Sequence, residues 1–482
     1  MMKTVYKQLT RVAVLVCSIG FGSQANAQYT RSTYFMEGVG FRQQLNPAQT
    51  PDQGYFNIPV IGGIHGFIHN NSVPLFDYQK EEYADHDVDF YMKDSFMKKV
   101  KDFTVAQGTA TIDVLSFGWY KKQSFWNANL SVRTDMGLGV PKDFFHFLRD
   151  TRGLNPESWA NYSRQFGGEK INGTTYIEAG VGYARPINDK LTVGAKAKLL
   201  LGLANINVNI NNVQVKTQLT NIDANQDWNH ITYEELSKIK GEASVEADAT
   251  LDATLGGYHV VYDEKGYAKE IDSESGIGIA GVGMGFDLGA TYRLTDQLTL
   301  SASLLDLGFI TWGKGSSYNA ASQYRRTYTF GDNNNGEAED FRSLMSSGNL
   351  IEFDLIQLKE TQARGRTTAL STSLVIGGEY KLLNDKLTLG LLSTTRFTPI
   401  KTIPEITLST AYKVNRHIGF SLGYSVIQGG GSGLGVGMKL GPVILATDYA
   451  LLTNKTKALH FLFGISVPMG AKKMKEKKEG QK

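Results

Sequence analysis

Cysteine is almost absent from this chain of 482 residues, in which Cys17 is the only one. It lies in an N-terminal stretch that starts with basic residues, continues as an apolar run from Val12 to Phe21 and ends with Ala25-Asn26-Ala27. That order predicts a cleaved secretory signal peptide over residues 1–27. The mature chain would then contain no cysteine, which excludes a disulfide framework, a Cys-ligated metal site and a Cys nucleophile.

Net charge and long apolar runs are missing as well. Lys and Arg number 50 against 47 Asp and Glu, and the three basic residues of the predicted signal peptide account for the difference. No basic field is left to bind a nucleic acid, so we expect no partner of that class. Beyond the signal peptide, no segment approaches the roughly 20 apolar residues of a transmembrane helix. The basic block in residues 468–482 is interpreted as a solvated periplasmic tail.

What the chain has instead is alternation with a period of two. Val282, Met284 and Phe286 fall on one face of a segment whose other face is glycine and Asp. The pattern recurs in residues 418–426 and 459–467, and it indicates β-strands with two different environments. By itself it is compatible with a soluble sandwich, in which apolar faces pair into a core. It is equally compatible with a membrane barrel, in which apolar faces meet lipid.

The connections between strands favour the barrel. About fourteen strands can be placed, as an even-numbered bacterial barrel requires. Alternate connections are short polar turns, several of which follow a tyrosine: Tyr183, Tyr292, Tyr380 and Tyr412. Four of the other connections are long and polar: residues 69–107, 135–173, 204–277 and 312–365. Short turns at one end, long loops at the other and aromatic residues where lipid meets water are typical of outer-membrane barrels.

The sequence therefore predicts an all-β, antiparallel transmembrane barrel over residues 56–467, with long extracellular loops and an outer face in contact with the lipid of a Gram-negative outer membrane. Residues 141–150 and 231–240 are predicted to form short helices within the loops. Residues 276–281 match G-x-G-x-x-G, but they begin a strand and open no helix, so a dinucleotide site is rejected. No cofactor and no metal site are expected.

The segment before the first strand, residues 28–55, does not alternate. It contains Tyr34-Phe35-Met36-Glu37-Gly38 and Leu45-Asn46-Pro47-Ala48. The Asn-Pro-Ala phrase resembles the one in the N-terminal hatch of FadL-type fatty acid transporters, and it is similar to a segment of PorV-type barrels associated with type IX secretion. With the stretches Pro141-Lys142-Asp143 and Asp306-Leu307-Gly308-Phe309-Ile310-Thr311-Trp312, the mature chain resembles an uncharacterised group of barrels in this superfamily.

The resemblance implies a plugged barrel and a hydrophobic ligand. In that interpretation residues 28–55 form the hatch, and Asn46 and Pro47 are the hatch candidates. Asn-Pro is also an ordinary turn signal, so a plain turn is the alternative for these two residues.

Charged and titratable residues recur on the face assigned to the lumen, because an Arg or Lys that faces lipid at the midplane costs about 2–4 kcal/mol. The lumen-facing candidates are Glu178, Lys196, Lys198, Asp287, Arg293, Glu379, Arg396, Asp448 and His460. We interpret them as an ion-pair network that joins wall and plug, with a selectivity filter or a clamp for a ligand carboxylate as the alternative. Asp306 departs from the alternation of its strand, which predicts a β-bulge or a position above the bilayer.

Three functions follow in order of preference. The first is a transporter or channel that passes a small, hydrophobic molecule through the plugged lumen. The second is a non-transporting scaffold, secretion-associated or partner-binding, whose extracellular loops hold a protein. The third, a barrel lipid hydrolase with His460 as its base, is least favoured, because a lone luminal histidine explains that residue more simply. We therefore predict no enzyme and no catalytic residues.

Overall fold

A closed antiparallel barrel of fourteen wall strands forms the centre of the molecule. The computed structural model describes residues 31–74, 90–153, 159–223, 231–273, 278–331, 335–346, 358–427, 431–450 and 457–471. The strands are, in chain order, β1 (Gln53–Asn57), β2 (Ile64–Asn70), β3 (Phe103–Lys121), β4 (Ser124–Pro141), β5 (Ser163–Phe166), β6 (Glu169–Pro186), β7 (Leu191–Thr220), β8 (Lys240–Leu255), β9 (Tyr258–Tyr262), β10 (Ala268–Ser273), β11 (Gly281–Arg293), β12 (Leu298–Trp312), β13 (Ser317–Phe330), β14 (Lys359–Thr361), β15 (Arg366–Ala369), β16 (Thr372–Leu382), β17 (Leu387–Phe397), β18 (Ile403–Lys413), β19 (Ile418–Ile427), β20 (Gly431–Leu440), β21 (Val443–Ala450) and β22 (Ala458–Ala471).

The ring closes through its first wall strand, which consists of β1 and β2. Both pair with β3 on one side and with the last strand, β22, on the other. The remaining wall strands follow as β4, β6, β7, β11, β12, β16 with its short extension β15, and β17 to β22. The predicted fold class is thus confirmed. The wall starts at Gln53 and ends at Ala471, slightly outside the predicted limits, because β1 pairs with the last residues of β22.

The wall has one polar and one apolar face, as the alternation predicts. Along β11 the buried Gly281, Gly283 and Gly285 alternate with Val282 and Met284, which are 54% and 50% exposed. The outward side chains of other wall strands are also apolar and about half exposed, among them Val181, Leu199, Ile376, Leu391, Leu408 and Leu422. A continuous apolar outer surface of this kind is what a lipid bilayer requires.

Short turns join the wall strands at one end. They occupy residues 122–123, 187–190, 294–297, 383–386, 414–417 and 441–442. Asn188 and Asn415 stabilise two of them, because the side-chain oxygen of each accepts hydrogen bonds from the backbone N–H groups two and three residues later. Such Asx geometry explains why asparagine recurs in the turns. The predicted tyrosines precede these turns, and Tyr292, Tyr380 and Tyr412 expose about two fifths of their surface.

At the other end the sheet continues beyond the ring. The far half of β7 pairs with β5 and β8, and β8 pairs with β13. One face of this extension carries valine, alanine and leucine and is buried against aromatic side chains, including Phe147, Trp159, Phe166, Tyr328 and Phe341. The other face carries Asn, Gln, Thr, Asp and Glu in facing rows, for example Asn207 beside Asp252 beside Asn319.

Within the described residues, four α-helices lie among the long connections: α1 (Asp94–Lys99), α2 (Lys142–Gly153), α3 (Tyr233–Lys238) and α4 (Asn335–Ser346). They confirm the two predicted helices, although Pro141 ends β4 instead of opening the first turn of α2. In α3, Thr232 and Glu235 form a capping box. No helix in the described part of the chain is long and apolar enough to cross a membrane. The predicted signal peptide, residues 274–277 and most of the basic tail lie outside the described residues.

Candidate functional site

Residues 31–50 lie inside the ring, and we call this segment the hatch. Its apolar side chains are buried: Tyr34, Phe35, Met36 and Val39 are at most 3% exposed. They form one cluster with inward side chains of the wall, namely Leu305, Val375, Leu392, Ala411, Ile444, Ala446 and Leu462. Gly390 gives Phe35 its space, because a Cβ there would overlap the phenyl ring. The plug is therefore packed as a core and does not merely hang in the lumen.

Arg31 fixes the start of the hatch to the wall. Its guanidinium lies 2.7 Å from Glu405 and 3.3 Å from Asp448. The Asp448 carboxylate also accepts hydrogen bonds from the backbone N–H groups of Arg31 and Ser32, at 2.8 and 2.7 Å. Asp448, predicted from the sequence to face the lumen, is thus an anchor for the plug. His460, 0% exposed, adjoins it, with Nδ1 accepting from the backbone N–H of Asp448 at 3.3 Å.

Glu37 and Arg42 attach the middle of the hatch to neighbouring strands. Glu37 pairs with Lys381 of β16 and, at 3.0 Å, with Lys413 of β18. Arg42 donates to the carbonyl oxygen of Tyr34 and lies 3.4 Å from Glu379 of β16. The predicted luminal Glu379 therefore serves as the wall's half of a buried pair.

Asn46 and Pro47 dock against two glycines of the wall. A Cβ at Gly194 would overlap the carbonyl group of Pro47, and one at Gly289 would overlap the Asn46 side chain. The Asn46 amide donates to the carbonyl oxygens of Ala290 and Ala302, at 3.3 and 3.2 Å, and its oxygen accepts from the N–H of Ala48. Asn46 thus makes a local turn and also joins the hatch to β11 and β12, so both interpretations of the phrase describe part of its geometry.

A cluster of charges lies on the wall beside the hatch. Lys198, which is 4% exposed, lies 2.6 Å from Asp287, 2.5 Å from Asp306 and 3.7 Å from Glu178. Arg133 lies 2.6 Å from Glu178 and 2.7 Å from Asp306. Lys196 completes the group, 2.8 Å from Glu178. Three cations and three carboxylates thus satisfy one another away from bulk water.

The bulge predicted at Asp306 brings this residue into the cluster. The register of β11 against β12 shifts between Phe286 and Leu288, and Asp306 has a positive φ of 57°. Its backbone N–H donates to the Asp287 carboxylate at 2.7 Å. The extra residue turns the Asp306 side chain from the lipid face to the lumen, which confirms the predicted bulge.

Among the described residues, the luminal cavities include an upper and a lower one, and a smaller one of about 30 Å³ beside Arg31, Leu45 and Glu405. The upper cavity, on the side of the long connections, has a volume of about 250 Å³. Its lining is mostly hydroxyl, amide and charged side chains, including Thr109, Thr111, Arg133, Asp135, Asn172, Thr174, Tyr176, Asn207, Asp306, Ser371, Ser373 and Arg396. The lower cavity, about 40 Å³, lies between the hatch and the wall. Its lining includes Gln43, Gln44, Tyr55, Asn57, Thr111, Asp113, Ser116, Asn127, Asn129, Ser131, Arg133, Glu178 and Lys196.

The remaining sequence candidates fall in different places. Arg396 lines the upper cavity and lies 2.6 Å from Asp135. Arg293 is exposed at the short-turn end, where it donates to the carbonyl oxygen of Asp189, so it does not join the luminal cluster. Sequence reasoning missed Arg133, although the alternation of Asn127, Asn129, Ser131 and Arg133 with apolar residues contains the signal for it. The same alternation places Glu405 on the luminal face, since Ile406 and Leu408 face outward. Nothing in the local sequence marks Arg31.

Replacement of Lys198 by Met should destabilise the barrel by about 3–5 kcal/mol, because it leaves buried carboxylates without their cation. Lys216→Met is the matched control, since Lys216 is exposed on the far half of β7. Urea unfolding of the purified barrels in detergent measures the difference. Equal midpoints for the two variants would contradict a structural role for the cluster.

Replacement of Asn46 by Ala should loosen the hatch by about 1–3 kcal/mol, because buried carbonyl groups lose their donor. Hydrogen exchange should become faster in residues 31–50 and stay unchanged in the wall. Asn211→Ala, at an exposed position, is the control. Unchanged exchange in the hatch would show that Asn46 forms only a local turn.

The Glu37 ion pair should make seating of the hatch depend on pH. Burial alone would raise the pKa of Glu37, but Lys381 and Lys413 lower it from 4.5 to about 2. Because the folded pKa lies below the ordinary value, the pair stabilises the hatch above about pH 4.5 and loses this effect as the pH falls toward 2. Thermal unfolding measured at a series of pH values should show that acid lowers the unfolding temperature more for the wild type than for Glu37→Gln. Parallel pH profiles would refute the assignment.

Several solved structures are distantly similar to this chain. Among solved structures, the chain is similar to the toluene transporter TbuX of Ralstonia pickettii, with 11% identity, a TM-score of 0.39, and 92% of this chain and 95% of that chain covered. The toluene transporter TodX of Pseudomonas putida matches with 11% identity, a TM-score of 0.34 and coverages of 92% and 94%. A FadL homologue of Pseudomonas aeruginosa matches with 10% identity, a TM-score of 0.29 and coverages of 92% and 96%. Likenesses this distant carry no functional argument.

No curated protein matches the chain. A family model described as a family of unknown function, DUF5723, matches residues 47–448. That range includes the end of the hatch and nearly the whole wall, and it confirms the resemblance to an uncharacterised barrel family. The protein belongs to the family of unknown function DUF5723.

Proposed function

We propose that this protein is an outer-membrane transport barrel that passes a small molecule through a lumen partly closed by the hatch. The observation that carries the proposal is the upper cavity of about 250 Å³, enclosed by the wall. A barrel with a purely structural role does not need a luminal cavity that is lined with several kinds of polar group. Binding sites are typically concave and carry a few converging polar groups, as this cavity does.

The outer surface of the wall supports the location. Apolar side chains about half exposed to the surroundings cover the ring, and tyrosines expose their rings at the short-turn end. Such a surface is stable only against lipid. With the predicted signal peptide, it supports an orientation in which the short turns lie in the periplasm and the extended sheet lies outside the cell.

The substrate class predicted from the resemblance was hydrophobic, and it stays a prediction. The upper cavity offers such a molecule few apolar side chains, chiefly Leu370, Ala369 and Pro399. The carboxylates of Asp135 and Asp306 and the guanidinium groups of Arg133 and Arg396 would lose water on contact with a hydrocarbon. The lining therefore favours a polar substrate over an apolar one.

A partner-binding scaffold is the second candidate function, and the extended sheet favours it. The polar face of β7, β8 and β13 presents rows of Asn, Gln, Thr, Asp and Glu outside the ring. Crosslinkers placed at Gln214 and Gln323 would capture a defined protein if the sheet is a docking surface. We propose no enzymatic activity, because the described contacts of His460 serve to anchor Asp448.

The transport proposal predicts that filling the upper cavity stops flux. Ser371→Trp, in the cavity lining, should reduce solute flux at least about tenfold, since permeation depends on the radius and lining of the pore. Leu391→Trp, on the lipid face at 55% exposure, is the matched control and should leave flux unchanged.

Two assays cover both substrate classes: swelling of proteoliposomes in a graded panel of small polar solutes, and hydrocarbon uptake by cells that carry the protein. Absence of flux in both assays would overturn the proposal. Equal flux through the two tryptophan variants would show that any transport bypasses the cavity.

A further inference from the structure

We propose that small, uncharged hydrophilic solutes cross the lumen beside the seated hatch, along the wall formed by β3, β4 and β6. The inference rests on the proposed transport function and adds the route and the substrate class. Its basis is the relation between the upper and lower cavities, the unpaired polar atoms that line them and the one-sided attachment of the hatch.

The two cavities share part of their lining. Thr111 and Arg133 line both of them, and these two residues face each other across β3 and β4. Arg133 is held there by Glu178 and Asp306 and lies over the Tyr176 ring, 6.0 Å from its centroid. Its side chain therefore forms the narrow point between the cavities.

A polar stripe continues from this point toward the periplasmic end. The register pairs Asp113 with Ser131, then Ser116 with Asn129, on β3 and β4. All four line the lower cavity. The stripe ends beside Tyr55, whose Cα pairs with Gly118 near the short turn after β3. Polar groups thus follow the wall from the upper cavity to the neighbourhood of the periplasmic turns.

The lower cavity contains buried polar atoms that require water or a polar solute. Among the described residues, no hydrogen-bond partner is found for Gln43 Nε2, Gln44 Oε1, Asn57 Oδ1 or Asn129 Oδ1. Gln43 and Asn57 are 6% and 3% exposed, so bulk solvent does not reach them freely. Leaving such a group unsatisfied costs about 1–3 kcal/mol. Four in one small space indicate a hydrated passage.

Two glycines of β6 keep this passage open. A Cβ at Gly180 would overlap the side chain of Asn129, and a Cβ at Gly182 would lie 2.5 Å from Asn127 Oδ1. Both glycines point toward the polar stripe of β4. A larger residue at either position would push these amides into the passage.

The hatch is fixed on the opposite side of the ring. Its described ion pairs with the wall reach Glu379 and Lys381 of β16, Glu405 and Lys413 of β18, and Asp448 of β21. β18 lies halfway round the ring from β4. Toward β3 and β4, Gln44 donates to Asp113 at 3.3 Å, and Gln43 accepts from Asn127 at 3.2 Å. The ion pairs of the hatch and its hydrogen bonds to β3 and β4 therefore lie on different faces of the plug, and the cavity of about 30 Å³ beside Arg31 and Glu405 is the smaller of the two spaces next to it.

The paired charges, the hydroxyl groups and the volume of the upper cavity indicate which class of solute it accepts. Arg133 and Arg396 are balanced by Asp306 and Asp135, each within 2.7 Å of its partner. An ion would enter without a free countercharge, which is costly. The Thr109 hydroxyl, which has no partner among the described residues, and the other hydroxyls can both donate and accept hydrogen bonds. The volume is below the about 300–1,000 Å³ of pockets for drug-sized ligands. These properties suit an uncharged polyol of monosaccharide size in the upper cavity. The lower cavity, about 40 Å³, passes such a solute only when the amide side chains of Gln43 and Gln44 move aside.

The test locks the hatch with a disulfide and measures solute efflux from proteoliposomes. Ser32→Cys with Gly435→Cys joins the hatch to β20, because a Cβ at Gly435 would lie 3.3 Å from Ser32 Cβ, near the about 3.8 Å of disulfides. Ser409→Cys with Gly423→Cys, at 3.7 Å, joins two wall strands and is the control. The probes are glucose, anionic gluconate and cationic glucosamine, which have similar sizes.

We expect the oxidised hatch lock to retain glucose efflux within about twofold of the wall lock, with gluconate and glucosamine at least about tenfold slower, because the charges of the lining are already paired with one another. In the locked protein, Gly182→Leu should reduce glucose efflux at least about tenfold by filling the passage. Val181→Leu, on the lipid face of the same strand, should not.

The outcomes separate the two proposals. Glucose efflux that stops in the oxidised lock and returns on reduction would overturn the route while transport stands. Faster efflux of either ion would overturn the substrate class. An absence of efflux in every form, reduced or oxidised, together with no hydrocarbon uptake, would overturn the transport function itself.

Discussion

The exclusion of charge from the lipid-facing wall is the constraint on which the rest of this structure depends. Every Lys, Arg, Asp and Glu of the membrane-spanning strands must point into a narrow lumen, where water is scarce and an unpaired charge costs several kcal/mol. Lys198 shows the result, with three carboxylates within 3.7 Å. The backbone conformation reflects the same constraint. β12 adopts a positive φ at Asp306, which turns one more carboxylate toward the lumen.

The hatch also neutralises charges of the wall that face the lumen. The carboxylates Glu405 and Asp448 face the lumen from wall strands, and Arg31 of the hatch neutralises both. In return, the Asp448 carboxylate caps two backbone N–H groups at the point where the hatch begins. The wall and the plug therefore depend on each other: without Arg31, two buried carboxylates would repel, and without them the hatch would lose its first attachment. This mutual dependence gives a physical reason for a plug that is part of the same chain.

The sequence was sufficient for the wall and only partly sufficient for the site. Alternation of the kind seen at Val282 and Met284 predicted strands and their faces, because a side chain on the wrong face is penalised at every second residue. Asp306 was noticed because it broke that rule. Arg31, Glu37 and Glu405 were not found, since their roles come from contacts hundreds of residues apart along the chain.

Arg293 was assigned to the lumen because periodicity predicts which face of a strand a residue lies on, but not how close it lies to the end of the barrel. The cavities depend on side-chain volumes around Gly180 and Gly182 and could not be predicted locally.

The hatch is attached more strongly on one side than on the other, because buried ion pairs cost more to break than hydrogen bonds between neutral groups. Breaking a buried ion pair costs about 3–5 kcal/mol, so the side that carries Arg31, Glu37 and Arg42 resists displacement. A hydrogen bond between neutral amides contributes only about 0.5–1.5 kcal/mol net, because water replaces either partner. The contact of Gln43 with Asn127 of β4 is of this exchangeable kind. The hydrogen bond from Gln44 to the Asp113 carboxylate of β3 contributes about 1.5–3 kcal/mol, which does not exceed the cost of breaking a buried ion pair. A polar solute can take the place of water there without separating charges. A plug can thus remain bound at β16, β18 and β21 while the opposite wall stays permeable, and gating then requires movement of amide side chains instead of expulsion of the whole segment.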